Sequence, residues 1–264
     1  MYISIAYAVN FPIGMMTIPQ RLPHRVWREG KALHSHRRWV LLLIAVGVVF
    51  AGTVLLRIWQ SPVGATPECP EGRPIVLDPG HGGVDGGTNV PGVLEKDLVL
   101  DTAQRTARQL EARRVPVVLT RSADVDLGGP HDSGRLSRDL AQRIRIANQC
   151  RAALMLSLHI NSAADARERG VILFYQPSGP SRDAAYFIDD ALRRGLEHGR
   201  RELPHPQGTF AVLRRTKAPA VLVELGFITN ESDRGRLRDP AYRTEIAQIL
   251  ANACAVLYQI WVQQ

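Results

Sequence analysis

Residues 39–56 run WVLLLIAVGVVFAGTVLL, eighteen positions with no charge and no amphipathic period, long enough to cross a bilayer as one helix. The following stretch, 61–73 (SPVGATPECPEGR), has Pro, Gly and Ser punctuation without periodicity, the pattern of a linker. Beyond Pro74, short apolar runs alternate with longer amphipathic ones. The runs predict strands at 75–77, 115–119, 153–160, 171–175 and 220–225. Helices are predicted at 97–113, where apolar residues recur at Leu98, Ala103, Ala107 and Leu110, and at 136–148, 182–201 and 242–262. Strands alternating with helices of this length indicate an α/β fold, a sheet with helices on both faces. There is no internal repeat, and no stretch is left over for a second binding module.

Charge divides the chain. The formal net charge of +8 raises the question of a nucleic-acid partner. Residues 1–65 hold 7 Lys/Arg and one acid, whereas 66–264 hold 26 Lys/Arg and 24 acids, so the basic excess belongs to the tail. A nearly balanced folded part with 6% aromatics provides neither a basic groove nor a base-stacking platform, and no nucleic-acid partner is expected. In the tail, Arg21, Arg25, Arg28, Lys31, Arg37 and Arg38 face only Glu29, which keeps the N-terminus in the cytoplasm by the positive-inside rule. The expected organisation is a basic cytoplasmic tail (1–38), a transmembrane or signal anchor (39–58), a linker (59–73) and an exported domain (74–264). That places the protein in the cytoplasmic membrane as a single-pass chain, with its domain in the periplasm or extracytoplasmic space. Secretion after signal cleavage is the alternative, since Val63-Gly64-Ala65 resembles a cleavage site, although the apolar stretch is longer than a usual signal core. A twin-arginine signal fits poorly around Arg37-Arg38, and Cys69, in Thr-Pro-Glu-Cys, lacks a lipoprotein context. Cys69, Cys150 and Cys254 have no C-x-x-C spacing; in an oxidising compartment one pair can be bridged, and the spacing leaves open which.

Three polar residues stand where apolar strands end: His81 after IVLDPG, His159 in LMLSLHINS and Glu224 in AVLVELGF. Sites in α/β folds form at the carboxyl edge of the sheet. Glu95 opens the first predicted helix of the domain. Two imidazoles and a carboxylate are a common ligand set for catalytic zinc, with a further carboxylate as base. Each residue also has a structural reading. His81 can be a turn residue among glycines, His159 a satisfied core histidine, and Glu95 a first-turn acid complementing the helix dipole. Glu224, in a run of Val and Leu, must be paired, liganded or protonated.

The wording of these segments carries more. IVLDPGHGGVDGGT with LEKDLVLDTA, then VVLTRSADVD, LAQRIRIANQC, LMLSLHINSA, VILFYQ and VLRRTKAPAVLVELGFITNESD, in this order over about 74–260, resemble the zinc-dependent N-acetylmuramoyl-L-alanine amidase family. The resemblance implies a three-layer αβα sandwich with a mostly parallel, mixed central sheet, like that of zinc-dependent exopeptidases. It also implies one Zn²⁺ per chain on His81, Glu95 and His159, with Glu224 catalytic. The implied substrate is peptidoglycan, cut between N-acetylmuramic acid and the L-alanine of the stem peptide by an activated water from which Glu224 takes a proton. A catalytically inactive wall-binding or regulatory module, and a zinc exopeptidase of the same architecture, are the alternatives. An activator is left open. Asp78 and Asn161 are expected to hold ligands in place or to cap turns, and Arg143 of the L-x-x-R-x-x-x-A-N pattern to pair with an acid. His24, His34, His36, His131, His198 and His205 are expected to be surface or tail residues. Between Arg121 and Arg143 the connection looks longer than the family's usual one and is expected to be a flexible, gating loop at the cleft edge.

Overall fold

The computed structural model describes residues 39–48, 67–196 and 202–262 and divides the chain into two compact units, 1–61 and 62–264. In the first unit, α1 (Trp39–Val48) is an apolar helix whose residues are all exposed. The expected tail at 1–38, the rest of the anchor at 49–58 and the first part of the linker at 59–66 lie outside the described residues.

In the second unit the chain runs β1 (Ile75–Pro79), β2 (Asn89–Val90), β3 (Val93–Leu94), α2 (Glu95–Ala112), β4 (Val117–Leu119), α3 (Arg135–Gln149), β5 (Leu154–Asn161), β6 (Ile172–Tyr175), α4 (Gly179–Gly195), β7 (His205–Pro206), α5 (Ala211–Arg214), β8 (Ala220–Phe227), α6 (Glu231–Arg238) and α7 (Pro240–Val262). The sheet order is β4-β1-β5-β8-β6-β7; β6 is antiparallel to β8 and every other pairing is parallel. This is the mixed, mostly parallel sheet that the resemblance implies. The small β2–β3 ribbon, β7, α5 and α6 were too short to leave a periodic signal in the sequence. Local chemistry sets several helix starts: Pro240 opens α7 with a fixed φ, and the Asn230 side chain accepts the Asp233 amide at the start of α6 (3.1 Å).

Alternation along the central strands divides the interior into two cores. Ile75, Leu77, Leu154, Leu156, Leu158, Ile160, Val221, Val223 and Leu225 pack with α2, α4 and α7. Val76, Met155, Ala220 and Leu222 pack with α3 and α5 on the other face. By the same parity Asp78, Ser157, His159 and Glu224 fall on the α3–α5 face. A one-residue slip of β5 would exchange four leucine and isoleucine side chains, each contributing about 1.5–3 kcal/mol on burial, for Ser157 and His159, so the position of the histidine is locked by its apolar neighbours. By length and composition α7 could cross a membrane, but half of its most apolar window is buried, and it packs on α2 and α4 as a core helix of the domain.

Cys69 is bridged to Cys150, with Cα atoms 5.0 Å apart, and Cys254 is free and buried. The end of the expected linker is thus tied to the end of α3.

Candidate metal centre

The carboxyl ends of β1, β5 and β8 meet at one edge. His81 lies two residues past β1, His159 near the end of β5, and Glu224 directly across from His159 in the β5–β8 register. Glu95 is the first residue of α2, but its side chain is only 1% exposed and turns inward, away from the role of a solvent-facing first-turn acid. Ligand atoms of His81, Glu95 and His159 all lie within 4.8 Å of one another. Glu95 Oε1 is 3.2 Å from His81 Nε2 and 3.0 Å from His159 Nδ1. All four residues singled out in the sequence therefore converge, and two imidazole nitrogens with one carboxylate oxygen are a donor set that suits zinc.

The carboxylate is held by groups that sequence reasoning missed. Thr88 donates from its backbone N (2.7 Å) and its hydroxyl (3.0 Å) to Glu95 Oε2, and the Ile160 amide donates to Oε1 (2.9 Å). Asp85 Oδ2 stands 3.0 Å from His81 Nδ1, close enough for an ion pair but outside hydrogen-bond geometry, so that nitrogen has no hydrogen-bond partner. Thr88 and Asp85 both belong to the GHGGVDGGT run, whose polar members were the available signal. The glycines of this run make room. A Cβ on Gly80 would lie 2.2 Å from His159 Cε1, and one on Gly87 would lie 2.5 Å from Glu95 Oε2.

Two buried arginines fix the loop that carries His81. Arg143 donates to Asp78 Oδ1 (2.8 Å), to Asp139 Oδ2 (2.6 Å) and to the carbonyls of Pro79 (2.8 Å) and His81 (2.6 Å). Arg121 donates to the carbonyls of Pro79 (3.0 Å), Gly80 (2.8 Å) and Lys96 (2.8 Å). His81 has φ 60, a left-handed conformation that costs a non-glycine residue on the order of 1–3 kcal/mol and persists only where its surroundings impose it. Arg143, holding the His81 carbonyl, is one such constraint. Asp78 also accepts the hydroxyls of Thr120 (2.6 Å) and Ser157 (2.8 Å), so it anchors the end of β1 without touching His81 itself. The Asn161 side chain accepts the Ser162 amide (2.8 Å) and caps a turn.

Among the other histidines, His131 and His205 are exposed and distant from the cluster in sequence, as expected; His24, His34, His36 and His198 lie outside the described residues. The connection between Arg121 and Arg143, expected to be flexible, is strapped down. Asp124 accepts the Gly83 amide (2.7 Å) and Lys96 Nζ (2.7 Å), Asp126 pairs with Arg135 (2.5 Å), and Arg138 donates to the carbonyls of Gly128 and Pro130 (2.6 Å each).

Burial alone would raise the pKa of Glu95, but the hydrogen bonds from His159 and His81 hold it well below the usual carboxylate range. Burial would lower the pKa of His81, and Glu95 and Asp85 reverse this. Glu224 differs. Burial, reinforced by the charge of Glu95 and only partly offset by the two histidines, pushes its pKa up to about 7, and its Oε2 is buried with no hydrogen-bond partner. A carboxyl poised near neutrality beside a three-donor cluster can both take and give a proton at working pH. Together with His81, His159 and Asp85 it lines a cleft of about 290 Å³ whose other wall is apolar, formed by Leu136, Leu140, Phe210, Val212 and Leu222.

Comparison with known proteins agrees with this geometry. The family model described as N-acetylmuramoyl-L-alanine amidase matches residues 75–255. The germination-specific N-acetylmuramoyl-L-alanine amidase of Bacillus subtilis (strain 168) is 32% identical over 213 residues, covering 79% of this chain and 86% of that protein. Among solved structures, the CwlD amidase from Clostridioides difficile in complex with the GerS lipoprotein superposes with a TM-score of 0.67 at 26% identity, over 71% of this chain and 99% of that one. The N-acetylmuramoyl-L-alanine amidase AmiC2 of Nostoc punctiforme gives 0.61 at 30% identity, over 71% and 97%.

Proposed function

This chain belongs to the N-acetylmuramoyl-L-alanine amidase family, and from that premise we propose that it cuts peptidoglycan with one zinc ion held by His81, Glu95 and His159 and with Glu224 as the proton carrier. It is a hydrolase of the cell wall, and the bond opened joins the lactyl carbonyl of N-acetylmuramic acid to the amine of L-alanine. The observation that carries the assignment of roles is the contrast between two buried acids. Glu95 is saturated with donors and kept anionic, as a ligand must be, whereas Glu224 has an unpartnered oxygen and a pKa near neutrality.

When bound, zinc lowers the pKa of a water molecule to about 7 and polarises a carbonyl. Glu224 Oε2 takes the proton from the water as it attacks the amide carbonyl. The same oxygen then delivers that proton to the departing nitrogen, so the alanine leaves as a neutral amine. Thr88 and the Ile160 amide keep Glu95 from rotating, and the apolar wall opposite excludes bulk water from one side of the reacting group. No Ser or Cys nucleophile is required.

Residues 39–58 are proposed to anchor the chain in the cytoplasmic membrane with the N-terminus inside and the domain outside. The Cys69–Cys150 bridge supports an oxidising compartment. The solved CwlD amidase is in complex with a lipoprotein, which supports an accessory partner for this chain as well. A reporter fused after Gln264 should be active only in an exported form; activity of a cytoplasmic-type reporter would contradict this topology.

The decisive assay incubates the zinc-loaded protein with purified sacculi and identifies new chain ends by mass spectrometry. Intact glycan strands and stem peptides with a free N-terminal alanine are expected. In Glu224→Gln, metal content should stay the same while turnover falls by about 10²- to 10⁴-fold. Wild-type turnover in that variant, or shortened peptides still joined to muramic acid, would overturn the assignment, the latter in favour of an exopeptidase.

A further inference from the structure

The amino ends of β1, β5 and β8 share the edge opposite the metal centre. Arg73, Arg151 and Lys217 lie two or three residues ahead of these strands and line a pocket of about 190 Å³ with Asn148 and three alanines; no acidic residue lines it. Among the described residues, none of these three side chains has a hydrogen-bond or ion-pair partner. Five other arginines of the domain, Arg105, Arg135, Arg143, Arg193 and Arg243, are each paired with an aspartate. All three side chains are exposed, and three positive charges around one pocket with no acid in its lining offer a site for an anion.

The pocket's backbone is held in place before any ligand arrives. Asn148 Oδ1 accepts the Lys217 amide (2.8 Å) and its Nδ2 donates to the Arg215 carbonyl (3.3 Å). Arg151, at φ 47, follows the bridged Cys150, and Arg73 lies between Cys69 and β1, where the Ala153 amide donates to the Pro74 carbonyl (2.8 Å). Helix-dipole complementarity at the end of α3 would account for Arg151 alone, and the carbonyls of Ile146, Ala147 and Asn148 are already taken by the amides of Cys150, Ala152 and Arg151.

We propose that this pocket binds a phosphate group. A carboxylate or a phosphodiester has two free oxygens, which two arginine forks would saturate; a terminal phosphate, as the free ion or a monoester, offers more acceptors and up to two charges, matching two guanidiniums and an ammonium. From Leu154 at the start of β5 to His159 are five strand steps of about 3.3 Å, roughly 16 Å, and the pocket shares no lining residue with the amide-cleaving cleft. The free ion and a membrane lipid headgroup are the two sources of such a group, and the site does not rest on the amidase reading.

The chain has lysines only at 31, 96 and 217, which gives a clean measurement. Full-length protein is treated with a limiting amine-acetylating reagent and the rate at each lysine is read by mass spectrometry. One arm uses neutral detergent with inorganic phosphate against chloride at equal ionic strength; the other uses nanodiscs of phosphatidylcholine with or without phosphatidic acid, whose phosphate is a monoester. Acetylation of Lys217 is expected to slow about tenfold at 90% occupancy, while Lys96, already bonded to Asp124, serves as reference. Slowing by phosphate identifies a free-ion site, and slowing by phosphatidic acid alone identifies a headgroup site. In Arg151→Glu, and independently in Arg73→Gln, the slowing should be lost. No slowing at Lys217 in either arm, equal slowing at Lys96, or unchanged slowing in both variants would overturn the proposal.

Discussion

Replacing Arg143 with methionine tests whether the buried arginine holds the metal loop. The side chain is 2% exposed and satisfies Asp78, Asp139 and two carbonyls, so Arg143→Met keeps the volume but leaves two buried carboxylates short of a cation. Breaking a buried pair by removing one partner typically costs 3–5 kcal/mol. Asp78 keeps the hydroxyls of Thr120 and Ser157, Asp139 keeps the Leu127 amide, and Pro79 keeps Arg121, which places the expected loss toward the lower end, at about 3–4 kcal/mol. Urea unfolding of the full chain, followed by far-UV circular dichroism with a chelator present so that metal binding does not enter, should show a midpoint lower by roughly 1–2 M. The pH dependence gives a second check. Burial would raise the pKa of Asp78, but Arg143 and the two hydroxyls lower it, so its pairing adds stability that is fully present above the unfolded value of about 3.9 and is lost as pH falls through the depressed one. The gap between wild type and Arg143→Met should therefore narrow below about pH 4. With the His81 carbonyl released from its arginine, zinc affinity should also fall about 10- to 100-fold, the scale for losing an outer partner of a metal ligand. A variant within 1 kcal/mol of wild type at pH 7, or a gap that does not change with pH, would refute the claim that this pairing holds the loop.

Glu95→Gln should lose metal as well as activity, unlike Glu224→Gln, because both oxygens of Glu95 already accept protein N–H groups and either orientation of the amide turns an NH₂ against a donor; elemental analysis after dialysis checks this. Removing the disulfide with paired Cys69→Ser and Cys150→Ala changes closes no loop across a separation of 81 residues, worth about 4.5 kcal/mol by chain entropy. The melting temperature should drop by roughly 10 °C or more, and an unchanged one would show that the bridge adds nothing.

Much of the domain was legible because its signals are periodic. The apolar runs of β1, β5 and β8 and the helical spacing around Leu98, Ala103, Ala107 and Leu110 report burial directly, and the structure places elements there with ends shifted by a few residues. The shortest strands and the polar helix α6 had no such signal: β7 pairs through only two residues, and α6 is mostly charged, with Leu237 its one buried residue. The site was legible for a different reason. His81, His159 and Glu224 are polar residues at or just beyond the ends of apolar strands, and such placement is costly unless the group is used. That argument identifies which residues are out of place but not what holds them. Arg143 reaches the His81 carbonyl across 62 positions, the Glu95 carboxylate takes the Thr88 backbone amide across 7, and neither contact depends on the identity of the residue that supplies the backbone group. A side chain that bonds a backbone carbonyl leaves no complementary residue type to find in the sequence.

Asp85 stands beside His81, whereas Asn161, to which spacing points, caps a turn. Both are polar and both lie two to four residues from a presumed ligand, so spacing ranks Asn161, in S-x-H-x-N, at least as high. Direction along the backbone decides between them. Asn161 continues β5, where residues two apart share a face, yet the strand's register with β8 is irregular between 159 and 161, and its side chain turns to the Ser162 amide. Asp85 lies instead in a loop folded back on itself through the Gly82–Asp85 bridge, which returns it to His81. Loop reversal brings i and i+4 together without any helix, and only the glycines at 82 and 83, both at positive φ, hint at it in the sequence.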